Sequence, residues 1–283
     1  MRSILRQGLK RLQKNRTSRP LGSRSATVIA ISARKGGVGK TTTTVNLGAA
    51  LARFHGLKTL IVDLDPQNHV GRALSTQFRS GGRGMSEFFD EQADVDVIDL
   101  VVPTEADHLH LVPPDAGLSE VESLLTTRIG KEFVLRHGLE VARTHYDIIL
   151  LDCPPNVGNL TLNALVASDL VLIPCDLSPL AIDGVHSLVD TIATVSERLN
   201  PRIDVLGILV TRHDGRNVGV NEAVIGELES AYGDVVIPRY IGVNTDLAKA
   251  QLAGKNVFDF APNSRGAQHH RELAQFVADQ LAS

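Results

Sequence analysis

Tryptophan is absent from the 283 residues and aromatics make up only 4%. A core must therefore come from the aliphatic residues that supply most of the 43% hydrophobic content. No run approaches the ~20 consecutive apolar residues of a membrane-spanning helix. The basic N-terminus lacks the apolar stretch of a secretory signal. Only two cysteines occur, Cys153 and Cys175, which excludes a disulfide framework; they are expected to be reduced, structural and cytoplasmic. His213, His269 and His270 have no metal-ligand spacing with cysteine or acid, so a transition-metal site is not expected. There is no internal repeat, and one large α/β domain suffices for a chain of this length.

Acid is missing from the start of the chain. Residues 1–25 hold eight basic side chains (Arg2, Arg6, Lys10, Arg11, Lys14, Arg16, Arg19, Arg24) and leave 21 basic against 32 acidic residues elsewhere. The overall charge of −3 thus divides into a basic arm and a body of −11. Such an arm points to an anionic partner, nucleic acid or a membrane surface. A solvated extension without a partner is the plainer alternative. Ile4, Leu5, Leu9 and Leu12 fall near helical spacing, which predicts a short basic amphipathic helix over 3–14 before a linker from Arg16 to Ser25.

Glycine, lysine and threonine are concentrated in one place. The apolar run Thr27 to Ile31 reads as a strand and Thr43 to Phe54 as a helix. Between them lies Arg34-Lys35-Gly36-Gly37-Val38-Gly39-Lys40-Thr41-Thr42-Thr43. Strand, glycine-rich turn and helix are the context of a phosphate loop: backbone N–H groups turn inward around phosphate oxygens and the helix N-terminus adds positive potential. Nucleotide contacts are expected from Gly36, Gly37, Val38, Gly39, Lys40, Thr41 and Thr42, with Lys40 reaching the β- and γ-phosphates and the Thr41 hydroxyl ligating Mg²⁺. The standard loop has glycine six residues before the lysine; here that position is Arg34, and a second lysine, Lys35, precedes Gly36.

Two further strands end in acid. Thr59 to Val62 delivers Asp63-Leu64-Asp65-Pro66-Gln67, and Tyr146 to Leu151 delivers Asp152-Cys153-Pro154-Pro155. Both carboxylates fall at the carboxyl ends of buried parallel strands, where open α/β sheets bind ligands. Asp152 has the place of a Walker B acid, which holds the Mg²⁺ shell.

The K-G-G-x-G-K-T loop, the D-x-D-P-Q segment and the D-C-P-P segment resemble the ParA/MinD family of deviant Walker A ATPases, the ParA branch most closely, over roughly residues 26–281. The resemblance implies a P-loop NTPase fold of class α/β, a mostly parallel twisted sheet with helices on both faces. It implies a single ATPase domain over 26–283, which leaves the basic arm over 1–25 outside it. It implies slow, partner-stimulated hydrolysis of ATP to ADP and phosphate, with Lys35, Lys40 and Asp65 as catalytic residues. Lys35 would cross to the partner subunit's nucleotide in an ATP-bound homodimer, and Asp65 would orient the attacking water. Asp63 would support Mg²⁺ through a water, alongside Thr41 and Asp152. Arg212 and Pro238 join the nucleotide contacts. The expected location is cytoplasmic and nucleoid-associated.

In the ParA branch the ATP dimer binds DNA without sequence preference through basic residues. Arg216 matches one of these, in a D-x-R segment. The I-P-R-N-V-R pattern departs here to Ile237-Pro238-Arg239-Tyr240-Ile241-Gly242, with glycine in place of the second arginine. The DNA contacts expected are Arg216 and Arg239 with Arg6, Lys10, Arg11 and Lys14 of the arm. The arm is too short for an operator-reading helix-turn-helix domain. The C-terminal helix carries one basic residue and two acids from Arg271 to Leu281, unlike the basic membrane helix that ends MinD proteins. The cargo expected is plasmid or chromosomal DNA with a ParB-like activating partner. The alternatives are a protein assembly (a chemoreceptor cluster or microcompartment) with a cargo adaptor, or a membrane-associated MinD-like regulator that uses the arm.

Overall fold

The computed structural model describes residues 25–79 and 83–282. The predicted arm helix and the candidate DNA contacts Arg6, Lys10, Arg11 and Lys14 lie outside the described residues. Eight strands form one sheet: β1 (Thr27–Ile31), β2 (Thr59–Asp63), β3 (Val102–Pro103), β4 (Leu109–Val112), β5 (Ile148–Asp152), β6 (Leu170–Asp176), β7 (Asp204–His213) and β8 (Val236–Gly242). Their order is β3-β4-β2-β5-β1-β6-β7-β8. Every pairing is parallel except β3 with β4. The expected mostly parallel sheet is therefore present, with one antiparallel strand added at its edge.

Both faces of the sheet are covered, and the β1 sequence shows why. Alternate side chains of a strand point to opposite faces. Val28 and Ala30 belong to one apolar cluster and Ile29 and Ile31 to the other, all fully buried. The long helices are α1 (Lys40–His55), α2 (Leu118–Thr127), α3 (Asn159–Ala167), α4 (Pro179–Arg198), α5 (Val218–Tyr232), α6 (Thr245–Leu252) and α7 (Arg265–Ala282). Helices α1 and α7 pack on the Ile29 face; α2 to α5 cover the Val28 face. Helix α1 lies close to the strands because it is rich in small residues: a Cβ on Gly48 would sit 3.0 Å from Ile61 Cδ1. With few aromatics, close approach of aliphatic layers makes the core.

Several boundaries differ from the sequence reading. Helix α1 starts at Lys40, three residues before the expected Thr43, so the loop's last residues form its first turn. Before β5 the chain forms two short helical segments, Val134–Gly138 and Glu140–His145. Leu139 lies between them, and a Cβ on Gly138, the last residue of the first, would run into the Phe88 ring. Strand β7 runs on through Thr211, Arg212 and His213. Pro238 to Tyr240 lie inside β8 and not after it; β8 is an edge strand, where a proline's missing N–H disturbs no second neighbour. Pro174 is tolerated in β6 for a related reason, since β1 pairing stops at Leu172. A short helical turn, Met85–Phe89, follows residue 83. Helix α6 was not expected, and its signal was Asn244, whose side chain caps the first turn by accepting the Asp246 N–H at 2.8 Å.

The carboxyl ends of β1, β2, β5, β6 and β7 all open on one side of the sheet. Register brings their acids level: Ile31 and Asp63 both pair with Asp152, and Asp176 pairs with Thr211.

Candidate active site

The β1–α1 loop is shaped by its glycines. Gly37 has φ 76° and Gly39 has φ 91°. A Cβ at either would meet nothing within 4 Å, so glycine is required here by backbone conformation and not by crowding. Gly39 precedes the helix, and the Thr43 N–H donates to the Gly39 carbonyl at 2.8 Å as α1 begins. The N–H groups of Lys40, Thr41 and Thr42 precede that first bond and are left to a ligand.

Lys40 is 7% exposed. Its Nζ donates to the carbonyls of Ala33 at 3.4 Å and Lys35 at 3.2 Å. Burial lowers its pKa, opposed by the nearby Asp152 carboxylate. Asp152 is fully buried and accepts two hydroxyl hydrogen bonds, from Thr41 Oγ1 at 2.7 Å and Thr44 Oγ1 at 2.8 Å. Thr41 and Thr44 stand three residues apart, on one face of α1. Burial pushes Asp152 up to about 6, against the pull of these two hydroxyls. Asp63, also fully buried, is raised well above the usual carboxylate range by burial first and by Asp152 second. Its two oxygens accept the N–H groups of Asp65 at 2.9 Å and Val70 at 3.1 Å, so Asp63 braces the turn that presents Asp65. Asp65 is 4% exposed; Oδ1 accepts the Gln67 N–H at 3.0 Å and Oδ2 lies 3.5 Å from His69 Nδ1.

Three acids thus meet one buried lysine at the mouth of the loop, a surplus of negative charge that a divalent cation would offset. Among the described residues no group of three or more His, Cys, Asp and Glu gathers to hold a metal. The oxygen set of Thr41 and Asp152 suits Mg²⁺, which keeps several waters and shares phosphate oxygens instead of taking an all-protein cage.

The far side of the mouth comes from β7. Thr211 Oγ1 donates to the Val38 carbonyl at 2.7 Å, and Arg212, at φ 54°, donates from Nη1 to the Gly37 carbonyl at 3.2 Å. Lys35 pairs within the chain: Nζ lies 2.7 Å from Asp176 Oδ2 and 2.8 Å from Ser178 Oγ. The fold therefore brings Lys35 to Thr42, Asp63, Asp65, Asp152 and Arg212 together. Pro238, Arg239 and Arg216 stand apart on exposed backbone of β8 and the β7–α5 turn.

Arg216 is held by Asp214, Nε to Oδ1 at 2.9 Å and Nη2 to Oδ2 at 2.7 Å, and it holds the Asp214 carboxyl down to about 2. Along β8 the departure from the basic pattern is filled by rings. Tyr240 stacks on His213 with centroids 4.1 Å apart and meets His269 edge-on at 5.4 Å. The Gly242 N–H donates to His269 Nδ1 at 3.1 Å, and a Cβ there would sit 3.1 Å from His269 Cε1. Gly242 leaves room for that ring.

Four residues in or beside the site are not singled out by the sequence: Thr44, Asp176, Ser178 and Glu122. Thr44 had a signal in the Lys40-Thr41-Thr42-Thr43-Thr44 run. Asp176 with Ser178 had none local to the loop. Glu122, from α2, caps α3 by accepting the Asn159 N–H at 2.7 Å and the Leu160 N–H at 3.1 Å, again across a long sequence gap.

A family profile described as an AAA domain matches residues 26–205. The sporulation initiation inhibitor protein Soj of Bacillus subtilis is 38% identical over 252 residues, covering 89% of this chain and 98% of Soj. The chromosome partitioning protein ParA of Caulobacter vibrioides is 36% identical over 256 residues, covering 88% and 93%. Among solved structures, a cobyrinic acid a,c-diamide synthase from Mycobacterium smegmatis with bound ATP analog and magnesium aligns with a TM-score of 0.75 at 31% identity, covering 88% of this chain and 93% of that one.

Proposed function

Because the chain belongs to the ParA/MinD family, on its ParA/Soj branch, we propose that it is a Mg-ATP-dependent positioning ATPase that dimerises on ATP and then binds DNA without sequence preference. The observation that carries this reading is the convergence of buried Lys40, Asp65 and Asp152 with half-buried Thr41 at one mouth beneath a glycine-shaped loop. Residues 26–283 act as the ATPase unit and residues 1–25 as a basic arm.

The N–H groups of the loop and Lys40 bind the phosphates, with Arg212, hydrogen-bonded to the Gly37 carbonyl, at the edge of the loop. Thr41 and Asp152 would hold Mg²⁺, with Asp63 in support, and the ion would supply positive charge against the phosphate oxygens. On ligand entry the Thr41 hydroxyl turns from its hydrogen bond with Asp152. Lys40 gives up the Ala33 and Lys35 carbonyls for phosphate oxygen. Asp65, oriented by its own turn, holds the attacking water in line, and Lys40 with the partner's Lys35 stabilises charge as the bond breaks. Loss of the γ-phosphate contacts opens the dimer.

The dimer binds the nucleoid through Arg216, Arg239 and the arm, and a ParB-like partner accelerates the slow turnover to move plasmid or chromosomal DNA. The test is turnover by the full chain with Mg²⁺ and after chelation, beside Lys40→Ala. Mg-dependent ATP hydrolysis that disappears in Lys40→Ala supports the reading. Turnover that is absent in the wild type, or equal in the variant, refutes it.

A further inference from the structure

Lys35 is held at both ends within its own subunit. Its carbonyl accepts the Lys40 Nζ hydrogen bond at 3.2 Å. Its ammonium bridges Asp176 Oδ2 at 2.7 Å and Ser178 Oγ at 2.8 Å, and Ser178 Oγ donates to Asp176 Oδ1 at 2.9 Å, which closes the ring. The residues come from the end of β6 and the position just before α4. Ser178 stands where a serine usually caps a helix, yet its side chain makes no capping hydrogen bond. It is turned to the lysine and the acid instead. The ion pair is only partly exposed, with 37% of the Lys35 side chain and 13% of Asp176 accessible.

We propose that Asp176 and Ser178 are positioning residues that clamp Lys35 in cis, and that nucleotide entry loosens the clamp. This rests on the reading that Lys35 crosses to the partner's nucleotide. Phosphate in the loop draws Lys40 off the Lys35 carbonyl and sets several negative charges against the single carboxylate of Asp176. Both restraints on Lys35 weaken together, through one residue. A subunit thus extends Lys35 only after its own loop is filled, and empty subunits do not pair.

The test is the dimer fraction of the full chain against concentration of a non-hydrolysable ATP analogue, by sedimentation, with thermal melts as a fold check. Asp176→Asn and Ser178→Ala should each lower the half-maximal analogue concentration by about two- to fivefold, the range of a partly exposed ion pair. Asp176→Glu should stay nearer the wild type. In a Lys35→Ala background Asp176→Asn should change nothing. If Lys35→Ala cannot dimerise while Asp176→Asn and Ser178→Ala titrate as wild type, the clamp is wrong and the crossing stands. If Lys35→Ala dimerises normally, the crossing reading fails and takes the clamp with it. If folded Asp176→Asn loses dimerisation, Asp176 acts inside the dimer and the clamp is overturned.

Discussion

The β1–α1 loop and the β7–β8 edge open on the same side of the sheet but are built on opposite principles. At the loop the charges are buried: Lys40 is 7% exposed and Asp63 and Asp152 are inaccessible. At the edge they are in solvent, with the Arg216 side chain 85% exposed and Tyr240 46% exposed. Buried charge is costly unless a partner is supplied, so it recognises a compact, highly charged ligand with strict geometry. Exposed charge is screened within roughly a Debye length of 8–10 Å and reads the sign of a partner more than its shape. The first arrangement fits a nucleotide; the second is the surface that the proposed DNA contact would use.

This contrast predicts a graded series. The largest effect is expected at Asp65: Asp65→Ala should cut turnover by about 10²–10⁴-fold, the range for loss of a group that acts on the reacting proton or water. ATP binding and dimerisation should survive, and normal turnover would remove Asp65 from that role. Next is Lys40→Ala, which should weaken ATP binding by on the order of 100-fold, about 3 kcal/mol, since it removes the buried cation that meets the phosphates. A fluorescent ATP analogue in equilibrium titration checks this.

The two regions should also part on pH, because burial moves acids up and histidine down. Asp63 and Asp152 are raised, so their contribution favours the folded, nucleotide-free chain at low pH and is lost as pH rises through about 6 for Asp152. His270, buried in α7 behind β8, donates from Nδ1 to the Gly266 carbonyl, and burial pushes it down to about 4. Its contribution is full above the unfolded value of 6.5 and is lost as pH falls toward about 4. Between pH 7 and pH 5 this loss is about 2 kcal/mol. Urea unfolding of wild type and His270→Leu at both values isolates it: the variant should show a stability change less destabilising on acidification by about that amount, and equal changes would refute the assignment.

The smallest effect is expected at the edge. Arg216→Ala should weaken DNA binding by only a few-fold and lower the salt slope by about 1. Asp214→Asn should tighten binding, because it frees Arg216 from the carboxylate that now holds it. Fluorescence anisotropy on random duplex reads both.

The loop was legible because its chemistry is local: glycines, lysines and threonines adjacent in sequence are adjacent in space. Asp63, Asp65 and Asp152 were legible because apolar runs point to strand ends. What stayed hidden depends on distant pairing. Lys35 and Asp176 are 141 residues apart, and nothing around either announces the other. Pro238 hid the length of β8, since only the sheet order shows that β8 is an edge. The Thr245–Leu252 helix buries just Leu247 and Ala250, too few to make a periodic apolar pattern. The His269 ring that occupies the space beside Gly242 comes from α7 and has no local signal.

The most direct experiment is the binding of Asp65→Ala protein to random duplex across a salt series, with ATP or ADP, with and without residues 1–25. Binding with ATP only, falling steeply with salt, is the predicted result; survival after deletion assigns the contact to the folded edge, and loss assigns it to the arm. Equal binding with ATP and ADP, or none with the full chain at low salt, would contradict a nucleotide-switched DNA-binding dimer.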